Sequence, residues 1–276
     1  MKKISLIPFS LLIFFSIYPI DSETNQDRMS PVFLLTIIDK LKRGENVIFT
    51  KFGDGEYNCI GMEGAWGTSN CDGDQYHPWL AKRLKSSFCN LLTKKNVYLG
   101  RWETERVASA FEAVASENGL SVPWCSYYLV MNDDCFLKHD CMYKFVEFIV
   151  NTKRKKIIVA NSQNTKMKDF FRANTYITIP SQSWSYEYDK WLKDVESEIE
   201  ENAILLISGG LCSKVLIDEI TDRHNITCID LGSSFDLLAR KEKSRPWQHS
   251  YEDELNYYKD FIPEDWEPIS APSPEA

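Results

Sequence analysis

The sequence has little glycine and proline, no long basic block and no paired cysteine spacing. Its 12 glycines and 11 prolines, with 26% charged side chains, exclude a collagen-like, low-complexity or disordered chain. A net charge of -8 argues against nucleic acid as the main partner, because duplex affinity rests on lysines and arginines that neutralise phosphates. The 8 cysteines form no C-x-x-C pair and no zinc-ligand spacing with the 4 histidines, so we expect no structural zinc.

Both ends of the chain differ in composition from its middle. Residues 1–20 begin with two lysines and continue as an uncharged apolar run, which indicates a signal peptide or a signal anchor. The lysines before this run place the remainder on the non-cytoplasmic side, in a secretory lumen or anchored to a membrane. A cytoplasmic location is the alternative if the run does not act as a signal. Residues 263–276 are rich in proline and acidic residues and predict a disordered tail. Residues 21–262 are then one domain.

A luminal domain would allow two covalent modifications. The even number of cysteines permits disulfides, with Cys125, Cys135 and Cys141 as the favoured set, whereas buried free cysteines are the alternative. Asn225 begins an Asn-Ile-Thr sequence, which is an N-glycosylation acceptor in that compartment.

Short apolar runs alternate with helical patterns along the middle of the chain. Several of the runs are apolar on both faces, which is typical of buried parallel strands covered by helices on both sides. The sequence therefore predicts an α/β, Rossmann-like fold with an open, mainly parallel sheet. The predicted strands are residues 46–52, 96–99, 156–160, 176–179, 203–207 and 226–229, and the helices between them are residues 78–92, 104–118, 141–150, 165–171, 186–200 and 211–222.

Open parallel sheets bind ligands outside the carboxyl ends of their strands. The segments that follow the predicted strands contain small and polar residues suited to a phosphorylated ligand. In addition, the glycines after residue 208 precede a helix, whose first N–H groups could approach a phosphate. The candidate binding residues are Lys51, Gly53, Gly55, Asn161, Ser181, Gly209, Gly210, Gly232 and Ser233.

One glycine separates Asp54 from Glu56 in the sequence. The Asp-Gly dipeptide indicates that both residues lie in a loop. Such a loop can aim both side chains at one cation. Mn²⁺ or Mg²⁺ is commonly held by one or two carboxylates together with substrate phosphates, so we expect a metal site here. The alternative is a structural turn with a solvated glutamate.

Other side chains are candidates for catalysis, packing or stacking. Asp230 and Asp236 follow the last strand and are candidates for a general base. The acidic cluster at residues 71–74 predicts an exposed turn, and His77 is expected at a helix start. The aromatic set is expected mainly in the core, although a ring could stack on a base or a sugar. It consists of Trp184, Tyr186, Tyr188 and Trp191.

Four stretches within residues 47–238 follow one known pattern. They are residues 49–56 (FTKFGDGE) with the helix at 80–84 (LAKRL), residues 179–184 (IPSQSW) with 188–189 (YD), residues 206–216 (LISGGLCSKVL), and residues 229–233 (IDLGS). Together they resemble the GT-D fold glycosyltransferases, a Rossmann-like family that uses a nucleotide-sugar donor and a divalent metal. The resemblance implies that the D-x-E carboxylates serve the metal and the diphosphate. Lys51 replaces the family's usual arginine, and Ser233 replaces a frequent histidine.

Three functions remain open. The first is a metal-dependent glycosyltransferase that moves a sugar from a nucleotide-diphosphate donor, expected to be a UDP-sugar, to a hydroxyl of a glycan or protein acceptor. The second is a secreted binding protein on the same scaffold, because fold does not imply function. The third is a nucleotide-sugar hydrolase, in which water replaces the acceptor.

Overall fold

The structure is a computed structural model that describes residues 25–61, 67–131 and 139–269. Seven strands and eleven α-helices occur in these ranges. The strands are β1 Ile48–Phe52, β2 Val97–Arg101, β3 Trp124–Ser126, β4 Lys156–Asn161, β5 Thr175–Ile179, β6 Ile204–Ser208 and β7 Thr227–Asp230. The helices are α1 Asn25–Arg28, α2 Phe33–Lys42, α3 Asp54–Gly61, α4 Pro78–Leu91, α5 Glu105–Glu117, α6 Cys141–Asn151, α7 Met167–Phe170, α8 Tyr188–Glu198, α9 Cys212–Arg223, α10 Asp236–Arg240 and α11 Tyr251–Tyr257.

All described strands belong to one parallel sheet with the order β3-β2-β1-β7-β6-β4-β5. The predicted α/β, Rossmann-like fold is thus confirmed. Each of the six predicted strands is present within two residues of its expected bounds. The short edge strand β3 was not predicted, and neither were the helices α1, α3, α10 and α11.

Side chains of the strands alternate between two cores, one on each face of the sheet. Ile48 and Phe52 of β1 pack with α4, α5 and α9 on one face. Phe49 of the same strand packs with α2, α6 and α11 on the other face. Because both faces are covered, the strands carry apolar side chains in both directions, and the polar groups of the site are left to the strand ends.

The carboxyl end of the fold extends further than predicted. Trp266 packs against the second core, and the N–H of Ile269 donates to the carbonyl of Ala239 at 2.9 Å. Residues 263–269 are therefore held against the domain by apolar contact and a backbone hydrogen bond, and are not a solvated tail. Residues 270–276 and the apolar run at 1–20 lie outside the described residues.

The described cysteines have free thiols. Cys125 and Cys141, two of the favoured set, are buried and not bonded to each other, and Cys135 lies outside the described residues. No helix in the described ranges is long and apolar enough to cross a membrane. Asn225, the proposed glycosylation acceptor, is exposed just before β7.

Candidate active site

A cavity of about 700 Å³ opens at the carboxyl ends of the strands. This is the place that the parallel topology predicts, and the volume falls within the usual range for small-molecule sites. Of the predicted binding residues, Gly53 is not part of its lining; it is buried beneath the helix start that follows. The other predicted residues line the cavity: Lys51, Asp54, Gly55, Glu56, Asn161, Ser181, Gly209, Gly210, Asp230, Gly232, Ser233 and Asp236.

The two carboxylates of the D-x-E motif point in different directions. They lie on the first turn of helix α3 rather than in a loop, and side chains two residues apart on a helix do not face each other. Asp54 is exposed, whereas Glu56 is buried. Oε2 of Glu56 accepts the N–H of Gly53 at 2.8 Å, which is the glutamate half of a capping box. The metal role of this pair stays a prediction, with Glu56 already engaged by the Gly53 N–H and Asp54 exposed.

Glu56 instead belongs to a buried ionic network centred on Lys214 of helix α9. The lysine Nζ lies 3.1 Å from Oε1 of Glu56 and 2.9 Å from Oδ2 of Asp230. Burial alone would lower the pKa of Lys214, but the carboxylates of Asp230 and Glu56 raise it above its ordinary value. The lysine therefore stays charged and connects the start of α3 and the end of β7 to the start of α9.

Asp230 is surrounded by donors. Its Oδ2 accepts from Lys214, from the hydroxyl of Thr50 at 3.1 Å and from the N–H of Lys51 at 3.3 Å, while Oδ1 accepts the N–H of Gly232 at 3.0 Å. Burial would raise its pKa, but Lys214 and Lys51 lower it below the ordinary value. A carboxylate with both oxygens occupied and a lowered pKa positions its neighbours and is poorly suited to accept a proton.

Asp236, the other predicted base, is engaged in a similar way. Its Oδ1 accepts from the amide of Asn164 at 2.8 Å, and its Oδ2 accepts from the hydroxyl of Ser244 at 2.8 Å and pairs with Arg240 at 3.2 Å. These contacts connect helix α10 to the segment after β4 and occupy both carboxylate oxygens.

Lys51 is a buried cation on the cavity wall. Its Nζ donates to the carbonyl of Leu231 at 3.1 Å and lies 5.7 Å from the ring centre of Tyr127. Burial lowers its pKa to about 8, although Asp230 opposes the shift. Gly232 has a φ of 55°, and a Cβ there would lie 2.5 Å from Nζ, so the backbone can approach the lysine only because this residue is glycine.

Asp74 occupies the position that we predicted for a phosphate. Its Oδ2 accepts the N–H of Leu211 at 3.3 Å, directly before helix α9, and its Oδ1 accepts the N–H of Ser183 at 2.8 Å. Burial raises the pKa of Asp74, and these two N–H groups partly offset the increase. The segment at residues 71–74 is thus only partly the exposed turn that we expected, because Asp74 is buried against the glycine turn after β6.

Several cavity residues carried no recognisable signal in the sequence. Lys214 lies within one of the motif stretches, but no role was predicted for it. Tyr127 directly follows strand β3, which was not predicted. Arg245 pairs with Asp72 across the cavity, and Trp247 lines it nearby. The signal for Lys214 would have been a lysine in the first turn of a helix that follows a glycine pair.

The cavity lining has six carboxylates against four cationic side chains, Lys51, Lys214, Arg240 and Arg245. A diphosphate would add further negative charge, so a cation is needed to offset it. Within the described residues no three His, Cys, Asp or Glu side chains surround a shared metal position. Asp54 has no cationic partner among the described residues, so these residues fit a cation held by Asp54 together with ligand phosphates and water, without Glu56.

The fold and the cavity define an α/β protein with a glycosyltransferase fold. The sequence matches no family model and no curated protein. One solved structure with this fold is described as domain of unknown function 1792 with a distinct glycosyltransferase fold; it is 18% identical, 85% of this chain aligns with 90% of that chain, and the TM-score is 0.54. Another is described as a new glycosyltransferase from Streptococcus sanguinis; it is 17% identical, with 86% of this chain and 98% of that chain aligned and a TM-score of 0.55. The fold that the motifs suggested is confirmed.

Proposed function

We propose that the protein is a glycosyltransferase that moves a sugar from a nucleotide-diphosphate donor, a UDP-sugar, to an acceptor hydroxyl. The observation that carries the proposal is the cavity at the strand ends, with the exposed carboxylate of Asp54 at a helix start and the buried cation Lys51 on the wall. Solved structures with this fold and described as glycosyltransferases support the same class.

Each residue has a distinct part in the proposed reaction. Lys51 presents positive charge to a phosphate, and Asp54 would hold Mn²⁺ or Mg²⁺, whose charge would neutralise the diphosphate leaving group. Lys214, Glu56 and Asp230 form the buried network that fixes the cavity floor, and act as positioning residues.

Aromatic rings beside Lys51 also support donor binding. Trp102 and Tyr127 line the cavity, with ring centres 4.6 Å apart, and offer an aromatic surface for a nucleobase. Gly209 and Gly210 also line the cavity, where their backbone lies against Trp184 and Asp74. The geometry does not favour Asp230 or Asp236 as the base that deprotonates the acceptor, because both oxygens of each carboxylate already accept hydrogen bonds.

Nucleotide release from UDP-, GDP- and dTDP-sugars with Mn²⁺ tests the proposal. Release that depends on an added acceptor, with the sugar recovered on that acceptor, supports a transferase. Free sugar as the only product would favour the hydrolase, and the absence of turnover with every donor would favour the binding protein. The Asp54→Asn variant is the matched control, because it removes the exposed carboxylate and leaves the buried network intact.

We also propose that residues 1–20 direct the domain to a secretory lumen or anchor it to a membrane. An active luminal enzyme needs a compartment supplied with nucleotide sugars. Fractionation of tagged full-length protein is the test, and wholly cytosolic, soluble protein with these residues intact would contradict the proposal.

A further inference from the structure

Three aromatic rings form a stack on the surface beside the cavity. The ring centre of His77 lies 4.7 Å from that of Tyr186, at an interplanar angle of 19°, and 5.9 Å from that of Trp79, at 15°. The histidine is therefore the middle layer. The two outer rings of the stack are exposed, Tyr186 by 61% and Trp79 by 36%, while Trp79 also contacts the buried ring of Tyr188 at 5.2 Å between ring centres.

The exposure of these two rings is unusual for this molecule. Only four large apolar side chains in the described ranges are exposed, and two of them belong to the stack. Single exposed apolar side chains need no explanation, whereas exposed aromatic rings gathered at one place mark a binding surface.

Hydrogen bonds hold the rings in position. The hydroxyl of Tyr186 donates to Oε1 of Gln75 at 3.1 Å, and Nε2 of His77 lies 2.9 Å from Oγ of Ser185. Burial lowers the pKa of His77, which favours a neutral ring between the two aromatic neighbours. A ring that is already fixed loses little conformational entropy when a ligand covers it, so the outer face of Tyr186 is prepared for a flat apolar partner.

The loops that hold the stack also form the cavity wall. Oγ of Ser183 accepts the N–H of Gln75 at 3.2 Å, and the N–H of Ser183 donates to Asp74 at the cavity. Tyr76 and Trp184, the residues adjacent to this contact in sequence, line the cavity. The segments that carry the stack therefore also contribute to the wall of the proposed donor site.

We propose that the outer face of Tyr186, backed by His77 and Trp79, is the subsite that binds a pyranose ring of a glycan acceptor. The face of a pyranose carries C–H groups with partial positive charge, which match the negative face of an aromatic ring. Its hydroxyls match the polar groups around the stack, which come from Gln75 and Ser183. This inference rests on the proposed transferase function, and it selects a glycan over a protein acceptor.

A glycan array with the purified protein tests the subsite. We expect binding to at least one class of oligosaccharide, and calorimetry with that oligosaccharide should show affinity about tenfold or more lower in Tyr186→Ala, a loss of roughly one aromatic contact. Tyr186→Phe, which keeps the ring, should stay close to wild type. Met29→Ala removes another exposed apolar side chain and should have no effect.

The melting response to UDP and Mn²⁺ is measured on the same variants to separate the two proposals. All of them should keep the wild-type response, because Tyr186 does not line the donor cavity. An array without any bound glycan, or equal affinity in Tyr186→Ala, would overturn the acceptor subsite. A wild-type protein without a UDP response would instead count against the transferase.

Discussion

Glu56→Gln should mainly lower the stability of the free protein and Asp54→Asn should mainly lower its ligand response, although the two residues belong to one motif. Glutamine at position 56 can still accept the N–H of Gly53, but it loses the charged contact with Lys214. Asn at position 54 replaces an exposed carboxylate on the first turn of α3 with a neutral amide.

The magnitudes follow from burial. A hydrogen bond to a charged group contributes about 1.5–3 kcal/mol, and Lys214 keeps Asp230 as a partner, so we expect Glu56→Gln to lower the free energy of unfolding by that amount. At about 2–4 °C per kcal/mol, the melting temperature should fall by roughly 3–12 °C. Asp54→Asn should cost only about 0.3–1 kcal/mol, the loss of one charge at a helix N-terminus.

Denaturant unfolding of both variants and of Lys214→Met measures these values. Lys214→Met leaves two buried carboxylates without their cation and should cost about 3–5 kcal/mol. In that background Glu56→Gln should stabilise, because it removes one uncompensated charge. A destabilisation by Glu56→Gln of the same size with and without Lys214 would refute the network, as would a larger loss from Asp54→Asn than from Glu56→Gln.

Two further predictions concern Lys51 and Gly210. Since the pKa of Lys51 is lowered to about 8, the affinity for UDP with Mn²⁺ should fall as pH rises through that value, whereas Lys51→Arg should stay flat in calorimetry up to about pH 10. Between about pH 8 and 10.5 the folded state holds fewer protons at Lys51 than the unfolded chain does. The free energy of unfolding should therefore rise with pH across this range. Loss of that rise in Lys51→Met would confirm that Lys51 is the group with the lowered pKa. Gly210→Ala should destabilise by more than about 1–2 kcal/mol in denaturant unfolding, because its φ is positive and its Cβ would collide with the Asp74 carboxylate. Gly44→Ala is the control, since it has a positive φ with open space around it, and equal costs for the two would contradict the close packing at Asp74.

Local patterns predicted the sheet but not the contacts between its loops. Strands such as β6 are apolar on both faces, and this pattern alone specifies a buried parallel strand. Strand β3 was missed because three residues give too little periodicity. Helix α3 was missed because its glycines suggested a turn, while the capping role of Glu56 needs the glutamate and the Gly53 N–H to be considered together.

The chemistry of individual side chains was harder to predict than their position. Asp230 was correctly placed at a strand end, but the donors that surround it come from β1 and α9, which are distant in sequence. The burial of Asp74 likewise results from a loop that crosses to Leu211. Sequence spacing carries no information on such long-range pairs, so the roles assigned to these aspartates changed once the fold was known.

The most direct test of the central claim is a calorimetric titration of the protein with UDP in the presence of Mn²⁺. The proposed donor site predicts saturable binding that requires nucleotide and metal together. It also predicts affinity at least tenfold lower in Asp54→Asn. Glu56→Gln is titrated alongside, at a temperature where that variant is folded. No heat of binding with UDP, GDP or dTDP, or equal affinity in wild type and Asp54→Asn, would contradict the account.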